Sequence, residues 1–387
     1  MVEAEGQLKE LIGIARAMAP RFGARAAQTE SARRMPAESI REMVDSGLVK
    51  MMVPARYGGH ELGYDALFDV TLELGRQCAS SAWCFGFLVC HGWMVGLFPD
   101  EAQREVWRDG PNALIANQTT PLGKLRRTDD GFVLDGSWPF VSGIDHCDWV
   151  GLGAIETAAD GSPVGSLCLV HKNDLVVEDT WLTAGLCGSG SNTVHAKNVR
   201  LEPHRVILRK DMLEGRCPGA LVNAAPVYRL PLLAGFETAL AAPILATTQG
   251  ALELCEERAR TRKASDGQLA IQHAQLGQCA VELDAARTLL RRDLAEGMAI
   301  LGAGNEVSLE HRARVRRDSA FAARLCNNIM DRLMSLSGGS SIYDSNPLQR
   351  AWRDVRAMSG HIVLGFDASM EHAGRIAVGL KPNVESY

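Results

Sequence analysis

The sequence predicts an α+β chain, mainly α, in three parts. These are an N-terminal helical domain over residues 1–115, a small antiparallel β domain over 116–215 and a C-terminal antiparallel four-helix bundle over 216–387. Three observations predict it. Apolar residues recur at helical spacing through the first part, and the period drops to two near residue 116. The stretch from Gln268 to Leu301 then runs without a proline for roughly 50 Å of helix at about 1.5 Å per residue. Helices of that length pack side by side and extend into subunit interfaces.

In the first part, Pro20, Pro36, Pro54 and "YGG" at 57–59 are turn signals. "YDALFDVTLELGRQCA" carries apolar residues at helical spacing, and "SSAWCFGFLVCHGWMVGLF" follows with serines placed to cap a helix. That second helix is apolar on every side, which predicts a buried element. In the second part, Phe132, Leu134, Trp138 and Phe140 alternate with Val133, Asp135 and Ser137. "DWVGLGAIET", "GSLCLVHK", "LVVEDTW" and "NTVHAKNVRL" are further short β-rich runs separated by turn residues. No helical pattern separates them, so βαβ units are not expected.

Composition excludes several function classes. At 387 residues and 46% hydrophobic content the chain is an ordered globular protein. Its formal charge of -5, with Lys and Arg scattered among Asp and Glu, offers no footprint for nucleic acid. The acidic, amphipathic start "MVEAEGQLKELIGIARAMAP" is unlike a secretory signal, and no apolar run reaches membrane-spanning length, so the expected address is the cytosol, without a membrane partner. No two of the ten cysteines have the spacing of a zinc-binding pair, and no histidines fall in a metal-binding motif. The cysteines read as small core residues in a reducing compartment, and no metal is expected.

Common catalytic signatures are also absent. "GLCGSGSNTV" pairs Gly188 with Gly190, but Thr193 stands where a dinucleotide fingerprint needs its third glycine, and the run leads into a strand rather than a helix. Gly123-Lys124 lacks the earlier glycine of a phosphate loop, and no serine has the flanking glycines of a nucleophile elbow.

Four phrases in order, "GL...P..YGG", "GSWPFVSG", "GLCGSGSNTV" and "SGGSSIYDSNPLQRAWRD", together with the helix–strand–helix layout, resemble the acyl-CoA dehydrogenase fold over nearly the whole chain. In those dehydrogenases a carboxylate soon after the late Arg-Asp pair removes a proton from the thioester. Here "VRAMSGHIVLGFD" has Ile362 at that point and no carboxylate before Asp367. An acyl-CoA dehydrogenase with a displaced base, on an earlier helix, is the alternative reading. A different branch matches more residues: the oxygenase components of two-component flavin-dependent monooxygenases. It includes p-hydroxyphenylacetate hydroxylase, secosteroid phenol hydroxylase and dibenzothiophene monooxygenase. The resemblance rests on Trp138, Phe140, Ser142, His146, His91 and His361.

That resemblance implies FMNH2 or FADH2 as cofactor, O2 as co-substrate and a C4a-hydroperoxyflavin that hydroxylates a small phenol or heteroaromatic. A separate NAD(P)H:flavin reductase would supply the flavin, and the assembly would be a homotetramer built as a dimer of dimers. It implies that Trp138 and Phe140 cover the flavin ring and that Ser142 hydrogen-bonds its N5; the plain alternative is a strand of core aromatics with a turn serine. His361 would handle protons, because imidazole titrates near neutrality. His91, on an apolar helix, must have a hydrogen-bond partner, either the substrate or a backbone carbonyl. His146 would touch substrate or, with Asp145, fix the turn. Arg262, Gly338, Gly339 and Ser340 would receive the flavin phosphates, and Arg353 with Asp354 would form an ion pair locking the last helices. Residues 219–236 would help line the substrate pocket.

Overall fold

The first part folds into six helices: α1 (Val2–Ala24), α2 (Ala26–Ala32), α3 (Ala37–Asp45), α4 (Tyr64–Leu74), α5 (Ala79–Val95) and α6 (Asp100–Val106). They belong to a computed structural model that describes residues 2–261 and 265–381. Pro20 does not break α1, which continues to Ala24. A proline inside a helix costs about 3 kcal/mol. Leu11, Ala15, Met18 and Phe22, buried on both sides of Pro20 where α1 packs against α4, offset that cost. α5 is the core element expected: every residue except Phe87 is buried. Its serines do not cap it. Cys78 is the N-cap residue, and the Ser81 hydroxyl donates to the Cys78 sulfur at 3.0 Å.

Among the described residues, seven strands form one sheet. They are β1 (Ile115–Arg127), β2 (Phe132–Val141), β3 (Trp149–Thr157), β4 (Pro163–His171), β5 (Val176–Glu178), β6 (Asn192–Leu201) and β7 (Val206–Leu208), in the order β5-β6-β2-β1-β3-β4-β7. Every pairing is antiparallel except β1 with β3, where Ile115 stands opposite Trp149 in a parallel ladder. The exception follows from one connection. β2 returns antiparallel along one side of β1, and the segment 142–148 then passes beneath the start of β1 to begin β3 on its other side. The "DHCD" phrase is that crossover, tightened by a 3-10 turn over Ile144–His146.

The expected alternation of Trp138 and Phe140 fails for an equally local reason. Opposite β6, Trp138 pairs with Val194 but Val141 pairs with Asn192, so β2 carries one extra residue in this interval. Such a bulge reverses the side to which the following side chains point. Phe140 adopts φ +64° and is 62% exposed, whereas Trp138 is fully buried. The Trp138 indole lies over Gly123 and Gly136 and donates Nε1–H to the Gly153 carbonyl at 2.8 Å.

After α7 (Arg209–Glu214), the C-terminal part comprises α8 (Phe236–Thr261), α9 (Asp266–Gly302), α10 (Leu309–Ser337), α11 (Pro347–Ser359) and α12 (Phe366–Ala377). The three long helices pack on one another, and α11 and α12 stand where one fourth helix was expected. α11 is capped by the Asn346 side chain, which accepts from the Leu348 N–H at 3.1 Å, with Pro347 in the first turn. Arg353 and Asp354 do lock α11, but not to each other. Arg353 pairs with Glu30 of α2 at 2.5 Å and donates to the Ala184 carbonyl, while Asp354 accepts the Leu186 N–H at 2.6 Å. Successive residues on a helix point about 100° apart, so each reaches a different neighbour. Among the described residues, no helix is long and apolar enough to cross a membrane.

A Cβ added at Gly123 would stand 2.3 Å from Trp138 Cζ2, inside contact distance. We expect Gly123→Ala to cost about 1–3 kcal/mol by overpacking, read as a lower urea midpoint. An unchanged midpoint would contradict the slot described for Trp138.

Candidate active site

One face of α5 meets the turn that follows β2, α8 and the turn after α11, and the residues brought together there are mostly aromatic. Trp83, Phe87 and His91 recur every four residues, which aligns them along a single helix face. The Trp83 and Phe87 rings are 4.8 Å apart and edge-on, and Phe87 and His91 are 5.1 Å apart. Phe236, the first residue of α8, lies 6.1 Å from Phe87 and 6.4 Å from His361. His361 closes the wall at 6.2 Å from Trp83. Sequence reasoning missed Trp83 and Phe87, although the spacing W-x3-F-x3-H in an otherwise buried helix was a readable signal. Phe236 falls within the segment 219–236 that was expected to line a pocket.

Ser142 joins this wall from the β side. It follows the bulge at Phe140 and is 8% exposed. Its Oγ accepts the Trp83 Nε1–H at 3.2 Å and lies 2.8 Å from the Ser191 hydroxyl, which in turn lies 2.7 Å from that of Ser189. The "GLCGSGSNTV" phrase therefore supplies hydroxyls behind Ser142. Phe140 packs edge-on against Trp181 at 5.8 Å, leaving much of its ring open.

Burial sets the charge of both site histidines. His91 donates Nδ1–H to the Ile115 carbonyl at 3.2 Å, and its desolvation lowers its pKa to about 3. The backbone carbonyl is thus the partner that an imidazole in this helix required, and Nε2 keeps a lone pair. His361 accepts the Val363 N–H on Nδ1 at 3.3 Å, which leaves Nε2 as the protonated nitrogen. Desolvation lowers its pKa to about 4. The expectation of an imidazole titrating near neutrality is therefore corrected: both rings are neutral at pH 7. His146 points elsewhere, donating Nε2–H to the Met35 carbonyl at 2.9 Å. It fastens the crossover to the segment between α2 and α3, beside Asp145, whose carbonyl accepts from Lys172 at 2.9 Å.

The residues expected to hold a flavin divide in two. Trp138, sealed over its glycines, has no open face for a ring. Phe140 has one, and the Ser142 hydroxyl lies two residues further on, just past the end of β2. Gly338 has φ +68°, and a Cβ at either Gly338 or Gly339 would meet nothing within 4 Å, so a ligand can approach the backbone there. Ser340 lines a cavity of about 600 Å³ together with Arg258, Gln272 and Tyr343. Arg262 lies outside the described residues. This set fits a planar, hydrogen-bonding ring at β2 and a polar tail at the end of α10. A second cavity, of about 410 Å³, lies between α8 and α11 near Asp354, and neither cavity is lined by Ser142, His91 or His361.

The chain matches the acyl-CoA dehydrogenase N-terminal domain family over residues 9–110 and the C-terminal domain family over residues 238–366. The FADH2-dependent resorcinol hydroxylase oxygenase component of Rhizobium sp. (strain MTP-10005) is 32% identical over 387 aligned residues, spanning 96% of this chain and 95% of that protein. The HsaA monooxygenase from M. tuberculosis superposes with a TM-score of 0.94 at 30% identity, covering 98% of this chain and 100% of that one. XiaF from Streptomyces sp., in complex with FADH2 and glycerol, superposes with a TM-score of 0.91 at 30% identity, covering 100% of this chain and 99% of that one. At these identities over nearly the whole chain, and on this architecture, the chain is a member of the flavin-dependent monooxygenase oxygenase components with the acyl-CoA dehydrogenase fold.

Proposed function

We propose that this protein hydroxylates a small phenol, using O2 and reduced FAD delivered by a separate NAD(P)H:flavin reductase. The observation that carries this reading is the junction of Ser142 with the wall of Trp83, Phe87, His91, Phe236 and His361. Reduced flavin supplies the electrons that activate O2. The chain's own residues orient, donate and exclude water. Phe140 would offer its open ring to one face of the flavin, and the Ser142 hydroxyl would hold N5. Trp83, Phe87 and Phe236 keep the space between flavin and substrate apolar, so each hydrogen bond within it counts for more than in water. FAD is preferred to FMN here because two of the relatives carry FADH2 in their names.

The two imidazoles take opposite roles. His91, its Nδ1–H held by Ile115, presents a lone pair on Nε2 that accepts the substrate hydroxyl. His361, its Nδ1 occupied by Val363, presents Nε2–H and donates a hydrogen bond to oxygen. Neither works as a strong base, because burial favours the neutral ring in both. The phenol therefore keeps its proton in the bound state, hydrogen-bonded to His91 rather than transferred to it.

The acyl-CoA dehydrogenase alternative requires a carboxylate facing the wall. Ile362 is 82% exposed and stands where the usual base would be. α8 carries Glu237, fully buried, with a pKa raised to about 7 by desolvation. Its charged and phenolic neighbours are Arg316, Arg312 and Tyr64, and Tyr64 packs edge-on against Trp93 at 5.2 Å. Trp93 lies two residues beyond His91, about 200° around the helix. Glu237 thus serves the opposite side of α5.

We assign the protein to the cytosol, which ten free thiols support. We also assign it a homotetramer, which the exposed apolar side chains Ile271, Val281, Ile342 and Tyr343 support.

Reductase-coupled assays with resorcinol and other small phenols should give hydroxylated product, while a medium-chain acyl-CoA should not bleach an electron-accepting dye. Dye bleaching without phenol turnover would replace the proposal with its alternative. Ser142→Ala should keep the fold and raise H2O2 released per NADH severalfold; unchanged coupling would remove Ser142 from the reaction. Imidazole resonances followed by NMR should show His361 titrating near pH 4 and His91 near pH 3. Their folded pKa values lie below the ordinary 6.5, so the stability they contribute is present above that pH and lost as pH falls through 4. Midpoints near 6.5 would contradict the neutral-ring roles.

A further inference from the structure

Ser142, Ser191 and Ser189 form a row of buried hydroxyls running away from the candidate pocket, with oxygen separations of 2.8 and 2.7 Å and exposures of 8%, 3% and 1%. The backbone holds the two inner serines in place. Gly190 between them takes φ +53°, and a Cβ at Gly188 would stand 2.3 Å from the Thr29 methyl carbon. Each hydroxyl has one proton and two lone pairs. Trp83 Nε1–H permanently occupies one lone pair of Ser142. That leaves Ser142 one lone pair and one proton, to be divided between Ser191 and the pocket.

Two divisions of the row set what Ser142 offers the pocket. If Ser142 donates to Ser191, and Ser191 to Ser189, then Ser142 presents its lone pair to the pocket and accepts. If Ser189 donates to Ser191, and Ser191 to Ser142, then Ser142 presents its proton and donates. The interchange requires hydroxyl rotation alone; every proton stays on its own oxygen.

Reduced flavin carries N–H at N5, whereas oxidised flavin has a lone pair there. We propose that the Ser142–Ser191–Ser189 row is a reversible hydroxyl chain whose direction follows the oxidation state of the flavin, with Ser191 and Ser189 as positioning residues. This rests on the reading that N5 lies at Ser142. In the reduced complex the chain points inward and Ser142 accepts. In the oxidised complex it points outward and Ser142 donates. Removing Ser191 leaves the Ser142 proton without an inner acceptor in the reduced complex, and in the oxidised complex it removes only a donor to an oxygen that still accepts from Trp83, so the reduced complex is penalised more.

The test is anaerobic fluorescence titration of the intact protein with oxidised FAD and with dithionite-reduced FAD. The readout is the ratio of the two Kd values, oxidised over reduced. Ser191→Ala should lower this ratio about tenfold, the effect of one buried hydroxyl left unsatisfied. Ser189→Ala, two links from the pocket, should lower it in the same direction by less, and Ser191→Thr should restore the wild-type ratio. Equal weakening of both complexes, with the ratio unchanged in Ser191→Ala and Ser189→Ala, would overturn the chain. A ratio that Ser142→Ala also leaves unchanged, or a wild-type protein that binds neither form, would overturn the placement of N5 and the inference with it.

Discussion

The hydrogen bond from Trp83 to Ser142 is the constraint on which the site depends. Trp83 belongs to a helix buried on almost every side, and Ser142 to the end of a bulged strand, so this bond joins the helical and β parts at the place where chemistry is proposed. An indole N–H can only donate. It therefore fixes the Ser142 oxygen as an acceptor on one side and limits what the hydroxyl can offer on the others. The contacts of α5 across the wall depend on the same geometry, because a shift of the helix that broke this bond would also move Phe87 from Phe236 and Trp83 from His361.

Much of the site was legible in the sequence because its signals are local. Ser142, His91 and His361 were identified by their neighbours along the chain, and all three lie on or against one wall. Trp83 and Phe87 carried a spacing as plain as any used for the fold, but aromatic residues in an apolar helix read first as core. The exchange of Trp138 for Phe140 was not legible. It depends on one extra residue in β2 relative to β6, and cross-strand register is a property of two segments together. The parallel pairing of β1 and β3 was hidden for the same reason, since it arises from where a short crossover passes.

Protonation was the least legible feature. From sequence, His361 offers an imidazole that titrates near neutrality. In the fold, the rings of Trp83 and Phe236 surround it and Val363 occupies its Nδ1, so the proton is fixed on Nε2. His91 is held in the opposite tautomer by the Ile115 carbonyl. Two identical side chains thus become one acceptor and one donor. The difference comes entirely from which backbone group each one meets.

The wall also has an open side. Phe140 and Ile362 remain open to solvent beside buried groups, which suits a surface that receives a large planar cofactor rather than one that encloses a small ligand. A crystal structure of the complex with FAD tests this most directly. The account predicts flavin N5 within about 3.2 Å of Ser142 Oγ, with Phe140 against the ring. A flavin whose N5 lies beyond hydrogen-bond reach of Ser142, or whose ring displaces Trp138 from its glycine slot, would contradict it.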